Sequence, residues 1–115
     1  MTSDFASRGA VDLGLADEVL ATGRAAVTLD PVGEILVVRT RRGVFAMRNE
    51  CPHIGRTLSD ATICGTTLRC RGHGRTYRMT TGTARGPYRA ATLQLLPAWI
   101  EDGHLLVMVT GGFAR

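Results

Sequence analysis

The sequence predicts an all-β domain built around a loop-rich insert. Three observations lead there. Apolar residues recur with period two through residues 25–48 and again through 93–109. Both stretches are rich in β-branched residues and are punctuated by turn dipeptides, of which Asp102-Gly103 is the strongest hairpin signal. Between them, residues 49–92 change texture: Gly, Thr, Arg and Cys dominate, and apolar runs are very short.

The elements follow in order. Residues 1–12 are small and polar and read as a flexible tail. Leu13, Leu15, Val19 and Leu20 frame one helical turn around Ala16-Asp17-Glu18. Ala25–Leu29, Glu34–Arg39 and Val44–Arg48 read as the three strands of a meander, with turns at Asp30-Pro31-Val32-Gly33 and Arg41-Arg42-Gly43. Short strands are expected around Leu68-Arg69 and over Thr76–Met79, with turn signals at Thr81-Gly82 and Gly86-Pro87. Leu93–Leu96, Ala98–Glu101 and His104–Val109 return to the apolar pattern, and Trp99 is expected in the core. The organisation is one domain: a β base from 13–48 and 92–110 and an insert from 49 to 91. An insert so poor in apolar residues cannot hold itself together by burial alone, and a metal centre is the obvious tie.

Composition bounds the function. The chain has 115 residues, 12.3 kDa and 44% hydrophobic residues, enough for one small core but not for a catalytic domain beside a redox domain. The longest apolar runs, such as Ile35–Val38, are far too short to span a membrane. The first 25 residues carry Asp4, Arg8, Asp12, Asp17, Glu18 and Arg24, which no signal peptide tolerates. A soluble, cytoplasmic protein is expected. The net charge is +4, and every basic residue is arginine. That reflects either GC-rich codon usage or a basic docking face for an acidic partner. Nucleic acid is set aside, because there is no continuous basic helix and only six residues are aromatic.

Three cysteines, Cys51, Cys64 and Cys70, argue against a disulfide framework and toward metal or thiol chemistry. Cys51-Pro52-His53 is Cys-x-His, Cys70-Arg71-Gly72-His73 is Cys-x-x-His, and sixteen residues separate His53 from Cys70. Each motif places a thiolate and an imidazole on one tight loop. Two such loops supply two sulfurs and two nitrogens, a set suited to an iron–sulfur cluster or to zinc. Zinc fingers usually pair Cys with Cys and His with His, unlike the mixed pairs here. A Cys–His nucleophile is weaker still, because no third orienting residue is visible. Cys64 fits no ligand position and is expected to be a small buried side chain. His104 opens the last strand and is expected at the surface.

In these residues the chain resembles the Rieske proteins. Their pattern is Cys-x-His, sixteen or seventeen residues, then Cys-x-x-His. Cys51-Pro52-His53-Ile54-Gly55 is similar to the family's first loop, with Leu58 at its usual apolar position. Leu68 stands two before the second cysteine, and His73-Gly74 followed by Tyr77 is similar to the second loop. Thr81-Gly82 matches the turn after it, and Gly86-Pro87 the proline loop over the cluster. The resemblance spans roughly Ala16 to Val109. It implies an all-β Rieske iron–sulfur fold and one [2Fe–2S] cluster per chain. Cys51 and Cys70 would bind one iron, and His53 and His73 the other. Gly55, Arg56, Arg71, Arg75, Tyr77 and Pro87 are the candidates for support and docking.

The departures from the family refine this expectation. High-potential members carry two further cysteines, at positions that are Arg56 and Arg71 or Gly72 here, so their bridging disulfide cannot form. Their serine after His-Gly is Arg75. Both losses imply a low potential, in the lower third of the Rieske range of about −150 to +300 mV. Arginines act upward. The oxidised cluster with its two thiolates is neutral and gains one negative charge on reduction, which a nearby arginine favours. One arginine at about 8 Å, at an effective dielectric of about 40, raises the potential by about 45 mV, and salt reduces that. Five arginines lie in these loops: Arg56, Arg69, Arg71, Arg75 and Arg78. Tyr77 can add a hydrogen bond to a cysteine sulfur.

The resemblance implies an electron carrier with no substrate of its own. Its donor would be a flavin-containing ferredoxin reductase, and its acceptor a ring-hydroxylating or diiron terminal oxygenase with an acidic docking surface. Monomer is the default. Two alternatives stand beside it: the small Rieske-like subunit of an assimilatory nitrite reductase, and a non-redox zinc-binding module.

Overall fold

The run Ile35-Leu36-Val37-Val38 decides the layering. Neighbouring residues of a strand point to opposite faces, so an unbroken apolar run needs cover on both. A computed structural model of the chain describes residues 9–52, 55–71, 74–85 and 92–109. In it, this run lies in β3 (Gly33–Thr40), and all four side chains are buried. Ile35 and Val37 face one core with Ala46, Leu96, Leu105 and Val107. Leu36 and Val38 face a second with Met47, Leu58, Leu68, Tyr77 and Leu93.

Three antiparallel sheets produce this arrangement. The middle one is the expected meander, β2 (Arg24–Leu29), β3 and β4 (Gly43–Arg48), extended by β8 (Leu95–Leu96). Val38 pairs with Phe45 across β3 and β4, and Ala46 with Leu96 across β4 and β8. A second sheet has the order β1 (Ala10–Leu15), β10 (His104–Met108), β9 (Ala98–Glu101). The Asp102-Gly103 turn joins β9 to β10, with Glu101 opposite His104. The third sheet is β5 (Thr62–Cys64), β6 (Thr67–Arg69) and β7 (Thr76–Arg78). The helical turn expected at Ala16-Asp17-Glu18 is α1 (Ala16–Val19), with Ala16 buried.

The structure corrects four expectations. The expected tail of residues 1–12 gives way to a strand from Ala10, whose residues Ala10, Val11 and Asp12 pair with Met108, Val107 and Leu106; residues 1–8 lie outside the described residues. Backbone pairing along the edge of β10 needs no apolar pattern, and only Ala10 of the three is buried. Strand β5 was not expected, because a three-residue strand with one inward residue carries no readable period. Cys64 is exposed rather than buried. Alternation turns Ile63 toward the core and Cys64 outward at the hairpin end. Trp99 is only partly buried, and its indole N–H donates to Glu101 Oε1 at 3.1 Å, on the same face two residues along.

Candidate metal centre

Two loops of the same construction face the second core. The first leaves β4 through Asn49 and Glu50. The Cys51 N–H donates to the Arg56 carbonyl at 2.6 Å, and the Gly55 N–H to the Cys51 carbonyl at 2.8 Å. The second joins β6 to β7. There the Cys70 N–H donates to the Arg75 carbonyl at 2.8 Å, and the Gly74 N–H to the Cys70 carbonyl at 2.9 Å. Each closure requires a left-handed residue four places after the cysteine, and glycine supplies it: φ is +71° at Gly55 and +70° at Gly74. The two expected binding motifs are thus one backbone device used twice.

Both loops begin with a sulfur in an apolar setting. Cys51 and Cys70 are buried, share a core with Leu58, Leu68, Met79 and Leu93, and form no disulfide. Two thiols in such surroundings are inert, whereas two thiolates need a cation to neutralise them. Tyr77, also buried, puts its hydroxyl 3.8 Å from Cys51 Sγ. Burial holds the phenol well above its ordinary range, and Cys51 adds to the effect. It therefore stays protonated and can donate to a sulfur that bears no proton. This donor set fits a thiolate-bound iron centre. Among the described residues no three His, Cys, Asp or Glu side chains gather as a metal site. His53 and His73 lie outside the described residues, as does Pro87.

The first loop has a support that sequence reading missed. Asn49 is the one buried polar side chain among the described residues. Its Oδ1 accepts from the Leu58 N–H at 2.8 Å, its Nδ2 donates to Ser59 Oγ at 2.9 Å, and its own N–H donates to the Glu34 carbonyl at 3.0 Å. Asn49 thereby staples both ends of the loop to β3. Arg24, on β2, donates to the carbonyls of Ser59 and Ala61. The signal available in the sequence was an asparagine directly after an apolar strand and before the cysteine motif.

The expected docking arginines are not equivalent. Arg56 is exposed and paired with Asp60 at 3.1 Å, which holds that carboxyl below its ordinary range. Arg71 is exposed, and Arg75 is partly buried. Arg69 lies against the second loop: a Cβ on Gly74 would sit 3.1 Å from its Nη2. Thr62, Arg69, Cys70, Arg71 and Gly74 line a cavity of about 300 Å³.

Comparison with known proteins addresses the assembly as a whole. A model of the Rieske [2Fe–2S] domain matches residues 10–97. No curated protein sequence gives a significant match. Among solved structures, the chain is similar to one in the complex of reduced oxygenase and oxidized ferredoxin of carbazole 1,9a-dioxygenase, at TM-score 0.78 and 18% identity over 94% of this chain and 98% of that one. It is similar to the ferredoxin of carbazole 1,9a-dioxygenase from Nocardioides aromaticivorans IC177, at TM-score 0.74 and 20% identity over 86% and 96%. The terminal oxygenase of carbazole 1,9a-dioxygenase from Novosphingobium sp. KA1 matches at TM-score 0.75 and 26% identity, over 94% of this chain but only 31% of that one. The domain match runs from the first strand to the start of the last hairpin and takes in both cysteine loops, so this chain belongs to the Rieske [2Fe–2S] domain family and takes one [2Fe–2S] cluster.

Proposed function

We propose that the chain is a one-electron carrier between a flavin-containing ferredoxin reductase and a terminal oxygenase, ring-hydroxylating or diiron. The observation that carries this reading is the pair of matching loops, each opening on a buried cysteine beside the same core. Cys51 and Cys70 are the thiolate ligands of one iron, and His53 and His73 the imidazole ligands of the other. When bound, the cluster accepts and releases a single electron with no bond made or broken in a substrate. The chain's own residues do the rest. The apolar core keeps water from the two sulfurs, Tyr77 donates to Cys51, and the arginines favour the added negative charge.

The oxygenase acceptor is supported by the neighbours. One similar chain comes from a complex of oxygenase with ferredoxin, and this chain has nearly the length of that chain and of the Nocardioides ferredoxin. The arginine-rich loops favour an acceptor with an acidic docking surface. The carrier acts as a monomer in the cytoplasm, where cysteines stay reduced for cluster binding. Among the described residues no helix is long and apolar enough to cross a membrane.

The test is the visible spectrum of protein purified without oxygen, before and after dithionite, with iron, sulfide and zinc assayed on the same sample. Red-brown protein with two irons and two sulfides per chain, bleaching on reduction, is expected. Colourless protein holding one zinc overturns the carrier.

A further inference from the structure

The two loops close through the same pair of backbone hydrogen bonds but differ in charge. In each, the residue before the cysteine reaches the glycine four places after it. A Cβ on Gly55 would meet Glu50 Oε2 at 3.5 Å, and one on Gly74 would meet Arg69 Nη2 at 3.1 Å. Around the first loop the charges pair off: Arg48 with Glu50 at 3.1 Å, and Arg56 with Asp60 at 3.1 Å. The residue after Cys51 is the uncharged Pro52. Around the second loop the matching positions are Arg69, Arg71 and Arg75, and the chain has no Asp or Glu between Asp60 and Glu101. Among the described residues neither Arg69 nor Arg71 has a carboxylate within 4 Å, although Arg71 is near enough to Asp60 for its charge to help hold that carboxyl low. Both line the cavity that also includes Thr62, Cys70 and Gly74.

We infer that this cavity is a carboxylate-binding pocket, and that an acidic protein partner docks over the second loop with an Asp or Glu side chain seated between Arg69 and Arg71. The inference rests on the carrier reading above and adds which side of the molecule the partner takes. A guanidinium presents a planar fork of donors that matches a carboxylate, and one already packed against a wall loses less freedom on binding. Arg69 is packed in this way, because Gly74 has no side chain to displace it. Thr62 also lines it. The wall includes Cys70 itself, so a partner held there lies against the loop of an expected ligand.

Small oxidants of opposite charge test the pocket. Holoprotein reduced with dithionite is mixed by stopped flow with cobalt(III)–EDTA, an anion that presents carboxylates, or with cobalt(III) tris-phenanthroline, a cation. One electron passes from the protein to each Co(III), leaving Co(II) and oxidised protein. The rate with the anion is expected to fall as salt rises, and Arg71→Gln to lower it about threefold at low ionic strength. Arg56→Gln removes the same charge from the other loop and has the smaller effect. Arg41→Gln leaves the rate unchanged, since Arg41 lines a different cavity with Ile63 and Gly65 at the far end of the β5–β6 hairpin. Arg71→Lys keeps the charge without the fork and restores only part of the rate, and Arg71→Gln does not slow the cation. Midpoint potentials of all variants separate docking from driving force. An anion rate indifferent to salt, or lowered as much by Arg56→Gln as by Arg71→Gln, overturns the pocket and leaves the carrier intact. Protein that does not bleach with dithionite overturns the carrier, and the pocket with it.

Discussion

The Tyr77 hydroxyl lies 3.8 Å from Cys51 Sγ, although Tyr77 belongs to β7, beyond the second loop, and Cys51 opens the first. The contact ties the two halves of the centre across the core. It sets the first prediction. A donor to a thiolate stabilises the more negative, reduced state, so Tyr77→Phe lowers the midpoint potential. A difference of about 1 kcal/mol between redox states corresponds to about 45 mV for one electron. Dye-mediated redox titration measures it, and an unchanged iron content shows that the loss is electronic.

The cysteines separate by role. With Cys70 proposed as a ligand, Cys70→Ala is expected to abolish cluster retention, and iron and sulfide to fall from two per chain toward none. Cys64→Ser keeps both, because Cys64 is exposed at the end of the β5–β6 hairpin, away from the core that holds Cys51 and Cys70. Metal analysis of the two variants side by side checks this.

The potential of the unaltered protein is expected in the lower third of the Rieske range of about −150 to +300 mV, with about +150 mV as the bound it must not exceed. The positions of the bridging cysteines are Arg56 and Arg71 or Gly72, so that disulfide is absent, while the second-loop arginines act upward. A midpoint above that bound, from the same titration, refutes the ranking of these influences.

Gly82 carries a backbone prediction. It is buried with φ +82°, and an added Cβ would lie 2.7 Å from the Leu93 carbonyl oxygen. The Leu93 N–H also donates to the Gly82 carbonyl at 2.7 Å, which closes the segment after β7 onto the core. The clash is with backbone and cannot be relieved by a rotamer. Gly82→Ala is expected to cost about 2–4 kcal/mol, seen as a lower denaturation midpoint.

Acid loosens the β1–β10 edge. Asp12 accepts from the Gly14 N–H at 2.8 Å and contacts His104 Nδ1 at 3.0 Å, and together these hold its carboxyl below the ordinary value of 3.8. A carboxyl with a lowered folded-state pKa contributes stability above its unfolded value and loses it as pH falls through the folded one. The small stability gap between the protein and Asp12→Asn is therefore present at neutral pH and closes below pH 3.8. Thermal melts across that window check the sign.

The sequence by itself determined the strands of the meander, the final hairpin and the two Cys–His motifs. Each is read from a local signal: a period of two along a strand, a turn dipeptide, or a cysteine and histidine within one short motif. The loop glycines belong to the same class, since their left-handed backbone is required by the closure of each loop alone. The tertiary structure decided what depends on distance. It placed Asn49 as the staple of the first loop, Tyr77 beside the sulfur of Cys51, and a first strand on the free edge of β10. It also ranked the arginines, which composition counts as equals. Asp60 pairs with Arg56 at 3.1 Å and feels Arg71 only at longer range, while Arg69 and Arg71 share a cavity wall that no carboxylate of the described residues lines. Electrostatic effect falls off with separation, and separation between residues far apart in the chain exists only once the sheets have packed.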